Sequence, residues 1–133
     1  MSTYRTEISS SRPFDQVVAD VRAALSDEGF GVLTEIDVRA TMRAKLDVDI
    51  EPQVILGACN PMLAHRGLLA EPSLGVLLPC NVVVRQTGQA TTVAVIDAMS
   101  MVDLTANPAL QPVADEAAAR LGRALSAVKS ADA

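Results

Sequence analysis

Thr87-Gly88-Gln89 lies between two short apolar runs, Cys80 to Arg85 and Thr91 to Asp97, and no other segment constrains the fold as much. A glycine-centred link this short cannot carry a crossover, so the two runs pair antiparallel as a hairpin. A purely parallel, doubly wound sheet is thereby disfavoured. Tyr4 to Ser9 reads as a first strand. Pro13 opens a helix in which Phe14, Val17, Val18, Val21 and Leu25 recur at steps of three and four, and Gly29 stops it. Gly31 to Asp37 reads as a strand and Val38 to Leu46 as a short helix of good helix formers. Val54 to Ala58 is a compact apolar strand. It runs into Asn60-Pro61, a strong N-cap followed by a favoured first helical residue, so a helix follows over Met62 to Ala70.

Gly75 to Leu78 and Cys80 to Arg85 read as one long strand, or two hinged at Pro79. Ser100 to Asn107 reads as irregular, with room for a helical turn. Pro112 to about Val128 forms a last helix with Val113, Ala117, Leu121, Ala124, Leu125 and Val128 on one stripe. The order βαβαβαββα with its hairpin gives an α+β fold, a two-layer sandwich with a mainly antiparallel sheet and helices packed on one face. With 133 residues, half of them hydrophobic, the chain can bury one core, so residues 1–133 make a single domain. Residues 1–3 and 129–133 are expected to fray.

Eleven basic against 16 acidic residues give a net charge of -5, which argues against a nucleic-acid partner. With no Trp and only Tyr4, Phe14 and Phe30 aromatic, no stacking platform for single strands exists. No window is long and apolar enough for a membrane span, and Met1 to Ser11 lacks the apolar run of a secretory signal. Cys59 and Cys80 form no CxxC pair and are too few for a disulfide framework. The expectation is a cytoplasmic protein with both thiols reduced.

The residues that can carry chemistry are few. A Cys-Asn pair follows an apolar segment twice, at Cys59-Asn60 and Cys80-Asn81. Cys59 precedes a helix N-terminus, which favours a thiolate, although free cysteines more often pack as small hydrophobes. His65 is the only histidine; on a helical wheel it falls between Met62, Leu68 and Leu69, the side expected to meet the sheet. Asp97 follows Val93 and Val95 on one strand face, where a carboxylate is unusual unless it reaches solvent. Cys59, His65 and Cys80 suit zinc or another soft metal, but their spacing matches no compact zinc signature. A reversible Cys59–Cys80 disulfide requires Cα atoms within about 7 Å. No serine-nucleophile elbow and no phosphate loop is present.

The run Ile55-Leu-Gly-Ala-Cys-Asn-Pro61, then Ala64-His65, Leu68, Pro72, Gly75 and Leu77-Leu-Pro-Cys-Asn-Val-Val-Val84, resembles the signature of the domain of unknown function 302 family. Phe14-Asp15, Glu28-Gly-Phe-Gly31, Ile36-Asp37, Asp97 and Asn107-Pro108 extend the resemblance over nearly the whole chain. It implies a two-layer α/β sandwich that tends to form homodimers, and it brings no activity with it. The candidate ligand-binding set is Cys59, Asn60, His65, Cys80, Asn81 and Asp97. Three functions compete. The first is a small-molecule-binding module with both Cys-Asn corners around one pocket. The second is a thiol redox or metal site built from Cys59, Cys80 and His65. The third is a structural or interaction protein without chemistry. Whether the chain is an enzyme is left open by its residues.

Overall fold

The structure, a computed structural model, describes residues 4–132; residues 1–3 and 133 lie outside it. Its strands are β1 (Arg5–Ser10), β2 (Gly31–Asp37), β3 (Gln53–Cys59), β4 (Cys80–Thr87) and β5 (Ala90–Ile96). Its α-helices are α1 (Phe14–Asp27), α2 (Val38–Leu46), α3 (Pro61–Ala70), α4 (Met99–Thr105) and α5 (Gln111–Ser130). The strands form one sheet in the order β1-β5-β4-β3-β2, and every neighbouring pair is antiparallel. The two-layer α+β reading holds, with α1 and α5 on one sheet face.

Strand alternation decides which residues meet those helices. Val54, Leu56 and Ala58 of β3, Cys80, Val82 and Val84 of β4, and Val93 and Val95 of β5 share one parity, and all are buried. Val17, Val21 and Leu25 of α1 and Leu121, Leu125 and Val128 of α5 close over them as the main core. Each such aliphatic side chain stabilises the fold by about 1.5–3 kcal/mol on burial. Gly29 ends α1 at φ +83°, a left-handed turn in which Gly29 and Phe30 donate to Ser26 and Leu25 carbonyls. A second, smaller core gathers Leu63, Leu74, Met101, Leu110, Val113 and Ala117. The N-terminal half of α5 belongs to this second core and its C-terminal half to the first.

Two segments differ from the sequence expectation. Pro72–Leu77 forms a 3-10 helix, so no strand precedes Pro79 and β4 starts at Cys80. The apolar residues there serve packing rather than pleating. Leu74 is 1 % exposed and sits so close to Gly67 that a Cβ there would lie 2.6 Å from a Leu74 methyl. The stretch Ser100 to Asn107, expected to be irregular with room for a helical turn, carries most of α4, a helix of seven residues that buries Met101.

Within the tail expected to fray, residues 129–132 carry contacts. Helix α5 runs through Ser130, and Asp132 folds back onto the β1–α1 corner. Its carboxylate accepts from Ser10 Oγ at 2.7 Å, Arg12 Nε at 2.8 Å and the Ser11 N–H at 3.2 Å. Arg12 also donates to the Val128 carbonyl at 3.0 Å and pairs with Asp20.

Candidate functional site

The first Cys-Asn corner closes the end of β3. Asn60 caps α3, its Oδ1 accepting from the Leu63 N–H at 3.2 Å, and its Nδ2 faces the Glu28 carbonyl at 3.5 Å. Arg120 donates to the same carbonyl at 3.0 Å. Cys59, Asn60 and Cys80 all border one apolar cavity of about 30 Å³, walled by Phe30, Leu63 and Met101. That volume holds one or two waters and no small molecule.

The two thiols are unequal. Cys80 is buried opposite Ala58, whereas Cys59 is half-buried and pairs with Gly31 of β2. Burial first, and then the charge of a nearby Cys59 thiolate, push the Cys80 thiol up to about 11. At neutral pH it is therefore protonated and a poor nucleophile. Ala58, not Cys59, is the cross-strand partner of Cys80, so the two cysteines have opposite parities of the pleat. Both cysteines are free, one register step apart and on the border of the same cavity.

The other candidates lie elsewhere. His65 is exposed, on the outer side of α3, and does not face the sheet. The wheel was oriented by Met62, Leu68 and Leu69, but Met62 and Leu69 are 71 % and 72 % exposed. The inward side of α3 is Leu63 and Gly67, because only a glycine lets Leu74 pack so near the helix backbone. The proposed metal triad of Cys59, His65 and Cys80 therefore does not assemble. Among the described residues no group of three or more His, Cys, Asp or Glu could hold a metal ion. Asp97 is half-buried at the β5–α4 turn, where it accepts from the Met99 N–H at 3.0 Å and its own N–H donates to the Tyr4 carbonyl at 2.7 Å. It organises that turn.

Asn81 is exposed and faces away from the cavity, since adjacent residues of a strand point to opposite sides and Cys80 takes the core side. Of the two corners, Cys59, Asn60 and Cys80 therefore share the small cavity, and Asn81 alone does not. Asn81 belongs instead to the sheet face that α1 and α5 leave uncovered. Register fixes that face row by row. Its middle row runs Glu7–Ala94–Val83–Ile55–Ile36 across all five strands. One flanking row holds Asn81 and Gly57, and the other holds Thr92, Arg85 and Gln53. A hollow of about 430 Å³ opens there, floored by Val83, Ala94 and Ile96 and bordered by Tyr4, Arg5, Glu7, Gln53, Asn81 and Arg85. The side chains of Gln53, Asn81 and Arg85 are absent from the hydrogen bonds and ion pairs among the described residues. Sequence reasoning singled out Asn81 but missed Gln53 and Arg85. The signal was the period of two that sets Asn81, Val83 and Arg85 opposite the buried Val82 and Val84.

A family model described as a domain of unknown function, DUF302, matches residues 6–128. No curated protein matches the chain. The fold is similar to that of a crystal structure of an uncharacterised conserved DUF302 protein from Bacillus stearothermophilus, with 29% sequence identity and a TM-score of 0.89. The match covers 96% of this chain and 99% of that one.

Proposed function

The chain belongs to the DUF302 family, and on that premise we propose that it is a small-molecule-binding module whose site is the hollow on the uncovered sheet face. One observation carries this reading. The hollow of about 430 Å³ falls in the range of ligand pockets, roughly 300–1,000 Å³, whereas the cavity at Cys59 and Cys80 does not. An apolar floor edged by a few polar groups is the composition such sites use, and among the described residues the side chains of Gln53, Asn81 and Arg85 have no partner. The first Cys-Asn corner is then structural, a helix cap beside a packed thiol.

The test is a fluorescence titration with N-phenyl-1-naphthylamine, a neutral three-ring dye, joined to amide shift mapping. Binding should move β4 and β5 amides and be lost in Val83→Asp. Absence of binding, or shifts confined to the exposed side of α3, overturns the reading.

A separate observation supports a homodimer, in cytoplasmic surroundings that suit two unpaired cysteines. Helix α2 has no buried residue, and Leu33, Ile36, Leu46 and Val48 around it are exposed. A nine-residue helix is marginal without a packed face, and a second copy of this chain would supply one. Sedimentation should give twice the protomer mass, falling to one protomer in Ile36→Glu/Leu46→Glu. A wild-type chain that sediments as a single protomer refutes the dimer.

A further inference from the structure

The hollow carries a charge that no described residue pairs with. The chain has nine arginines, and among the described residues all but Arg39 and Arg85 sit in ion pairs. Arg39 is exposed on α2, where water solvates it. Arg85 is half-buried in mid-strand and borders the hollow. A partly desolvated guanidinium lacking a counter-charge is a poor arrangement for stability alone, and its planar fork fits an oxyanion.

From this we infer that the hollow takes an amphiphile with one anionic head, a carboxylate or sulfonate on an apolar body. The inference rests on the binding function proposed above. Register supplies the geometry. Gln53 is the direct cross-strand partner of Arg85, so its amide stands beside the guanidinium and can donate to a second oxygen of the same head. Val83, two residues along β4, and its partners Ile55 and Ala94 form an apolar surface for the body. Asn81 stands two residues further, about 13 Å from Arg85 along the strand, and can meet a polar far end. That span fits a body of two or three rings.

On the far side of the hollow Arg5 and Glu7 are paired with each other at 3.0 Å, which leaves Arg85 as the bordering charge without a partner among the described residues. The net charge of -5 gives no long-range attraction, so contact at Arg85 must do the recognising.

The experiment compares two dyes that share a ring body, 8-anilinonaphthalene-1-sulfonate and the neutral N-phenyl-1-naphthylamine, on the full chain. Arg85→Gln should weaken the sulfonate dye about tenfold and the neutral dye by less than about twofold, as expected for one charge-assisted contact. Arg85→Lys should recover part of the loss, and Arg39→Gln should change neither. Thermal melts of each variant check that the fold persists. If both dyes bind and Arg85→Gln moves neither, the anionic head is refuted while the binding site stands. If neither dye binds, the site itself is refuted.

Discussion

Cys80 and Asn81 are neighbours in sequence and have opposite fates. One step along a strand puts the thiol in the core and the amide on the bare face. Burial that raises the Cys80 thiol to about 11 also shields it from reagents. At neutral pH an alkylating agent should therefore modify Cys59 and leave Cys80 intact in the folded protein. Labelling of Cys80 should appear only as the pH approaches 11 or the fold opens, and peptide mass spectrometry distinguishes the two thiols. Rapid labelling of Cys80 at neutral pH would contradict its burial. The strand period needed to separate this pair was already present in Val82 and Val84. The repeated Cys-Asn dipeptide drew attention to likeness in sequence, but position in the pleat decides what each copy does. His65 misled for a related reason. Leu68 and Leu69 oriented the wheel by hydrophobicity, whereas the helix turned on the small residue, Gly67, that lets Leu74 approach.

At the scale of elements, the helices and most strands were legible because periodicity and caps agreed. Asn60-Pro61 starts α3, and Asp37 caps α2 by accepting from the Ala40 N–H at 2.9 Å. The 3-10 segment was not legible, since Gly75, Val76, Leu77 and Leu78 carry strand composition and only packing against α3 and α4 separates the two states. The clasp on the end of α5 was hidden too, because its partners are more than a hundred residues apart. That clasp gives a pH signature. Hydrogen bonds from Arg12 and Ser10 hold the Asp132 carboxyl at about 2, below its ordinary 3.8. A carboxyl depressed in the folded state contributes stability that is complete above its unfolded value and is lost as the pH falls through the folded value. Between about pH 4 and pH 2 the wild type should therefore lose stability that Asp132→Asn lacks from the outset. Urea melts across that window measure it, and parallel pH profiles would remove the clasp as a source of stability.

At the scale of the whole molecule, helix α5 is the member shared by both cores. Leu63→Ala in the smaller core and Val93→Ala in the larger should each lower one common transition. The first should cost about 2–4 kcal/mol and the second somewhat less. Two separate transitions in calorimetry would show instead that the cores melt independently. The protein then behaves as a beam clamped at both ends. Slackening either grip loosens the other, so damage at the α3 end should be felt as faster amide exchange in the distant strands.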